Sequence, residues 1–348
     1  MHNVGVIGYG NMADYHYKRI SKPSDIRFYA AYDTNELRLE KAKKEGLKTY
    51  KNLDEMLNDK DVDVVLVSTP NDSHMELAIK AMENGKHVIC EKPAALNHKE
   101  IKAMIMASQK NNVLFTVHQN RRLDRDFQIM KKVYDDNLLE GVFRIETRVQ
   151  GSREIAPTWR RNHENGGGML YDWGSHLIDQ IIYMIPSKVI SVYAEFQYVR
   201  QSEVDENVRV SLKFENGLSV LIEIGTCNYI MLPIWYMCGK EGTAQLDYWD
   251  LEGRLLKIIN KDIEFCDEIP STLVGPSITM APRSSDTVKE YPLPEPDYDK
   301  NLFYKNFVNA VEGKEELFVK PEEVLRTTSI IDLAFKSGKD NKVIKCCI

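Results

Sequence analysis

Five short, nearly uninterrupted apolar runs mark the first third of the chain: "VGVI" at 4–7, "FYAAY" at 28–32, "VVLV" at 64–67, "HVIC" at 87–90 and "VLFTV" at 113–117. Runs of that length, apolar on both sets of alternating positions, suit strands of a sheet covered on both faces. Between them, residues 36–45, 53–58, 74–84 and 97–110 carry helical spacing, and Gly85 provides a C-terminal stop for the third of these helices. Strand and helix in strict alternation predict a parallel, doubly wound α/β sheet with right-handed crossovers. Past Asn120 the period shortens. "FRIETRVQG", "ISVYAEFQYVR", "NVRVSLKFE", "LSVLIEIGT" and "AQLDYWD" alternate or are rich in β-branched and aromatic residues, and Asn216-Gly217 is a hairpin signal. These segments predict a large, open, mainly antiparallel sheet. One face would rest on helices; the other, if it carries exposed Tyr, Phe and Ile, would serve as a subunit surface. Residues 270–296 hold six of the thirteen prolines and read as a long irregular loop, before two closing helices near 299–312 and 321–337. The expected division is 1–121 for the first domain and 122–348 for the second.

Size and charge narrow the possibilities. A chain of 348 residues with 43% hydrophobic and 28% charged residues has enough apolar surface for two cores. A net charge of −6 argues against nucleic acid as a partner. No apolar run approaches the roughly 20 residues of a membrane span, and the N-terminus reads as a core strand rather than a leader. The six cysteines form no CxxC pair, which suggests reduced thiols in a cytoplasmic protein.

The chemistry begins at the strand ends. In "VGVIGYGNMA", Gly8, Gly10 and Ala13 form a GxGxxA turn between strand and helix: Gly8 for the tight bend, Gly10 for close approach of a pyrophosphate, Ala13 for helix packing. The helix start offers N–H groups to phosphate. Asp33 ends the second strand 23 residues beyond Gly10, where an acid would accept hydrogen bonds from the adenosine ribose and repel a 2′-phosphate. That favours NAD, with Arg38 close enough to soften the repulsion and leave NADP possible. A plain turn before a helix, and an N-cap near Thr34, are the simpler readings of the same residues. Other strand ends carry Ser68-Thr69-Pro70-Asn71, Glu91-Lys92-Pro93 and Gln119-Asn120.

In "GGGMLYDWGSH", glycines 166–168 run into a helix expected to begin near Tyr171, with Asp172, His176 and Asp179 on one face at i, i+4 and i+7. His176, with an ordinary pKa of about 6.5, is a natural base for a hydroxyl proton. Lys92 would hold the substrate oxygen, a preorganised donor worth about 3 kcal/mol. Asp172 would orient His176 or Lys92, or bind a neighbouring hydroxyl. Taken singly, an Asp and a His at this spacing are more often a surface pair and a lone lysine is more often solvated; it is their joint occurrence beside a nucleotide fold that points to catalysis. The polar and aromatic residues around 119–122 and 159–163 suit a polyhydroxylated ligand.

Together "GYGNMA", "STPNDSH", "EKPA" and "GGGMLYDWGSHLID", in this order and spacing, resemble the Gfo/Idh/MocA family of oxidoreductases over nearly the whole chain. The resemblance implies a Rossmann domain followed by a substrate and oligomerisation domain. It implies catalysis by Lys92, Asp172 and His176, and a cis Lys92–Pro93 peptide bond. The cofactor-facing set becomes Gly8, Gly10, Asn11, Met12, Asp33, Thr34, Ser68, Thr69, Pro70, Asn71, His74, Glu91 and Lys92. The substrate-facing set becomes Lys92, Asn120, Trp159, Arg160, Asp172 and His176, with no metal. "HQNRRLDRDF" looks most like the branch containing scyllo-inositol dehydrogenases, whose members often use NADP. The expected activity is oxidation of a ring hydroxyl of a sugar, sugar derivative or inositol-like polyol by a homodimer or homotetramer. Glycoside cleavage through a transient keto-sugar, and a cofactor-binding sensor without turnover, are the alternatives.

Overall fold

The structure, a computed structural model, describes residues 1–20, 25–261, 269–271, 275–277, 283–297 and 299–348. In the first part β1 (His2–Ile7), α1 (Asn11–Ile20), β2 (Ile26–Tyr32), α2 (Glu36–Lys44), β3 (Lys48–Tyr50), α3 (Leu53–Asn58), β4 (Val64–Val67), α4 (His74–Glu83), β5 (His87–Cys90), α5 (His98–Asn111) and β6 (Phe115–Val117) follow one another. All six strands are parallel, in the order β3-β2-β1-β4-β5-β6. Every residue of β4 is buried, as its unbroken apolar run requires. Strand order reverses direction between β1 and β4, so the loops after these two strands open a crevice at their carboxyl ends.

The second part comprises α6 (Arg125–Asp135), β7 (Val142–Gln150), α7 (Ser175–Met184), β8 (Val189–Gln197), β9 (Asn207–Phe214), β10 (Ser219–Gly225), β11 (Trp235–Gly239), β12 (Gly242–Leu246), β13 (Gly253–Ile258), β14 (Ile269–Ser271), β15 (Gly275–Ser277), β16 (Val288–Tyr291), α8 (Leu302–Val311), α9 (Pro321–Asp340) and β17 (Ile344–Lys345). Nine strands form one sheet, β16-β13-β12-β11-β7-β10-β9-β8-β17, antiparallel except where β7 meets β10. Its inner face packs on α6, α7 and α9 through residues such as Phe127, Ile178, Ile181, Ile222, Trp235 and Ile331. The other face is mixed rather than apolar: half-buried Tyr193, Leu221 and Tyr236 lie on it among charged residues. Arg148 pairs with Glu146 on its own strand and with Glu223 on the neighbouring β10, and Arg209 on β9 pairs with Glu223 on β10 and Glu195 on β8.

Two expectations are modified. Within 270–296, β14 and β15 form a small antiparallel pair and β16 extends the large sheet, while residues 272–274 and 278–282 lie outside the described residues. Cys266 lies outside them too, and the other five cysteines are free. Helix α8, which follows residue 122 in sequence, buries Phe303, Tyr304, Phe307 and Val308 in the core of the parallel sheet, not in that of the large sheet. Among the described residues, no helix is long and apolar enough to cross a membrane.

Candidate active site

The crevice at the carboxyl ends of β1 and β4 begins with the glycine turn. Gly8 has φ +89°, and an added Cβ would come within 2.8 Å of the Ser68 carbonyl, so only glycine fits between the two loops. At Gly10 a Cβ would meet nothing nearer than Arg38 at 3.9 Å, which leaves the space over the turn open to a pyrophosphate. Asn11 and Met12 open α1 directly after it. Asp33 is buried; its carboxylate accepts from Tyr9 N at 2.7 Å and Asn35 N at 2.8 Å, and Arg38 Nη1 lies 3.4 Å away. Asp33 therefore ties the turn together as well as offering an acid to a ribose, while the neighbouring Thr34 is exposed. Asn35, not Thr34, caps α2. These features fit the adenosine half of a dinucleotide.

A deeper cleft of about 1050 Å³, open mouth included, continues between the two sheets. Met12, Ser68, Thr69, Asn71, His74, Glu91, Lys92, Asn120, Trp159, Arg160, Asp172 and His176 all line it. Of the eighteen residues expected at the cofactor and substrate site, these twelve line one cavity; Gly8, Gly10, Asn11, Asp33 and Thr34 lie at or beside the glycine turn outside it, and Pro70, between Thr69 and Asn71, is the exception in that loop.

Several of these residues face the cleft but spend their hydrogen bonds on the wall. His74 sets its two ring nitrogens 2.9 Å from the carbonyls of Pro93 and Thr69, bracing the loop after β4 against the turn after β5. Asn71 Nδ2 donates to the Gly166 carbonyl at 2.9 Å, joining the two domains. Glu91 Oε1 accepts from His16 Nε2 at 2.6 Å and from His118 Nδ1 at 2.9 Å. Burial opposes the Glu91 charge, but the two imidazoles, His118 foremost, hold its carboxyl well below the usual range. His16 is pushed down to about 4, first by burial and then by His118. Sequence reading passed over His16 and His118. The only trace of the first is its place at i+3 from Ala13, on the inward face of α1. With Glu91 they form one group of three potential metal ligands among the described residues, within 4.8 Å, each accounted for here by a hydrogen bond.

The Lys92–Pro93 bond is cis. Lys92 Nζ donates to both the backbone carbonyl and Oδ1 of Asp172, each at 2.9 Å. An ammonium has three N–H donors, so one remains for a ligand. Burial raises the Asp172 carboxyl, but Lys92 and then Arg160 bring it below its ordinary value. Asp172 thus serves Lys92, not His176. The reason lies in the backbone: residues Leu170–Gly174 form a π-helical turn before α7, and the wider turn breaks the expected i, i+4 alignment. His176 is buried, its Nδ1 has no hydrogen-bond partner among the described residues, and burial followed by the Lys92 and Arg121 charges holds its pKa well below the ordinary value. It is therefore a neutral imidazole at neutral pH, a proton acceptor beside a fixed ammonium. Asp179, expected on the same face, turns away to form a two-pronged ion pair with Arg122 at 2.7 and 2.8 Å. Arg122 is wholly buried and leaves the cleft, whereas its neighbour Arg121 lines it.

The glycines before this turn allow close packing. A Cβ on Gly167 would lie 2.3 Å from the Arg160 carbonyl, and one on Gly168, at φ +104°, would lie 2.2 Å from Asp205 Oδ1. The run lets the 159–161 segment and Asp205 close around the start of the π turn.

Comparisons with known proteins agree with this architecture. The profile of an oxidoreductase family with an NAD-binding Rossmann fold matches residues 2–119, and that of the GFO/IDH/MocA C-terminal domain matches residues 127–245. A crystal structure of an NAD-binding protein from Listeria innocua superposes with a TM-score of 0.89 at 37% identity, covering 99% of this chain and 96% of the other. An uncharacterized oxidoreductase of Schizosaccharomyces pombe is 32% identical over 97% of each chain. The scyllo-inositol 2-dehydrogenase (NADP(+)) IolW of Bacillus subtilis is 27% identical over 84% of this chain and 81% of its own. With an NAD-binding Rossmann domain, a large mixed sheet and both family profiles in register, the chain belongs to the GFO/IDH/MocA family of oxidoreductases.

Proposed function

We propose that this chain is a dehydrogenase that oxidises a ring hydroxyl of a sugar, sugar derivative or inositol-like cyclic polyol to a ketone, with NAD as its preferred cofactor. One observation carries the reading: Lys92 is fixed by two bonds to Asp172 with a third donor free, in the cleft that neutral His176 also lines. The relative that acts on scyllo-inositol supports the substrate class.

The chemistry follows from these side chains. The free N–H of Lys92 binds the hydroxyl oxygen and stabilises negative charge as it develops there. His176 accepts the hydroxyl proton, and its low basicity in the buried site keeps it unprotonated before reaction. Asp172 holds the ammonium in place and offsets its charge. NAD, when bound, supplies the hydride acceptor. The carboxylate of Asp33 disfavours a 2′-phosphate; Arg38 at 3.4 Å reduces but does not remove that effect.

The test is a panel of inositols, aldoses and glycosides assayed with NAD and with NADP, following reduced nicotinamide. Accumulation of NADH with a free sugar or inositol is expected. Release of an aglycone from glycosides without net NADH would replace this reading with the redox-neutral one. Failure of every compound to reduce either cofactor, in a protein that binds NADH, would favour a sensor.

A further inference from the structure

We infer that the substrate carries an anionic group, a carboxylate or a phosphate, and that Arg121 holds it; the inference rests on the dehydrogenase reading above. The Arg121 guanidinium lies over the Trp173 ring with Cζ 4.1 Å from the ring centroid. Trp173 is itself stacked on Trp249, with centroids 6.0 Å apart and planes 21° from parallel. This ladder fixes the plane of the guanidinium and keeps its edges free for hydrogen bonding. One edge is used: Nη1 donates to Asp124 Oδ2 at 2.8 Å. On the other edge, Nε is buried without a partner and Nη2 makes no hydrogen bond among the described residues.

The buried Nε–H of this charged group has given up its hydrogen bond to water with no protein acceptor in exchange. No carboxylate of the cleft meets this edge. Asp172 serves Lys92 and, at 3.8 Å, Arg160. Glu91 is turned onto His16 and His118. The Nε–Nη2 edge presents two parallel N–H groups, the geometry that two oxygens of one carboxylate or phosphate satisfy together. A hydroxyl would meet one donor and leave the charge unbalanced. Arg121 also acts electrostatically on both His176 and Asp172, which puts the anion subsite beside the reacting residues.

The test uses the NADH-loaded protein. D-Glucose, D-glucuronate and D-glucose 6-phosphate, with myo-inositol and its 1-phosphate, are titrated in at pH 7, and tryptophan fluorescence reads binding. The expected result is that an anionic member binds its site at least about tenfold more tightly than its neutral parent, the lower end of one charge-assisted pair. Arg121→Gln should remove that ratio and Arg121→Lys, which keeps the charge but loses the fork, should retain part of it. NADH affinity and the thermal midpoint check that each variant folds. A preference for the carboxylate or for the phosphate member identifies the source of the anion. Equal binding of charged and neutral members, an unchanged ratio in Arg121→Gln, or no saturable binding of any anion would overturn the inference. Turnover in the same panel separates the two claims. NADH formed from neutral compounds without anion preference removes the anchor and keeps the dehydrogenase. Anion binding lost in Arg121→Gln, with no turnover of any compound, keeps the anchor and removes the dehydrogenase.

Discussion

Among single residues, His176 has the least ambiguous environment: buried, unpartnered at Nδ1 and flanked by two cations. If it accepts the hydroxyl proton, His176→Ala should lower turnover by roughly two to four orders of magnitude. NADH affinity, read by fluorescence titration, should survive; its collapse would show that the residue holds the cofactor instead. The same environment sets the pH dependence. The neutral imidazole is the working form, so kcat/KM for oxidation is full above its pKa in the folded protein and lost as pH falls through it. Because that pKa lies below the ordinary value of about 6.5, the profile should stay level from pH 8 past 6.5 and decline only at lower pH. An acid limb with its midpoint at or above 6.5 would contradict the assignment.

At the level of elements, the glycine run and the π turn work as one unit. Gly168 takes a positive φ, Leu170 N donates to Asp205 Oδ2 at 2.7 Å, and Asp205 is buried with its carboxyl pushed up to about 6, chiefly by burial. Gly168→Ala combines backbone strain with a Cβ against Asp205 Oδ1, and should destabilise the protein by about 2 kcal/mol or more in a chemical denaturation curve. A change within about 0.5 kcal/mol would mean that the loop has room to relax. The elements themselves were largely readable. The period-3.6 and period-2 segments become helices and strands near the expected residues because one face of each must be buried, and that demand is written locally. The π turn was not readable: it adds less than one residue per turn, and no composition signal separates it from a regular helix start.

For the molecule as a whole, Arg122 anchors the segment between the two sheets to the helices of the second part. Its guanidinium reaches Asp179 on α7 and Glu323 on α9 from the segment that leaves the parallel sheet. Removing one partner from a buried pair leaves an uncompensated charge, so Arg122→Ala should cost about 3–5 kcal/mol in denaturant unfolding. A loss under 1 kcal/mol would show that water replaces it. If the outer face of the large sheet docks a second copy, light scattering should return the mass of two or four chains. A monomer at working concentration would remove that face from an assembly role.

The linear pattern was sufficient for two alternating architectures, the glycine turn with its acid at Asp33, and the candidacy of Lys92, Asp172 and His176. Each is a local statement about period, turn or side-chain type. The choice of partners needed the folded chain. Asp172 binds Lys92, 80 positions away, rather than His176, four away; adjacent Arg121 and Arg122 part, one to the cleft and one to the core. His16, Glu91 and His118 meet from three separate elements. Hydrogen bonds and ion pairs act over about 3 Å in space regardless of distance along the chain, so packing selects them. Chain order leaves that choice open.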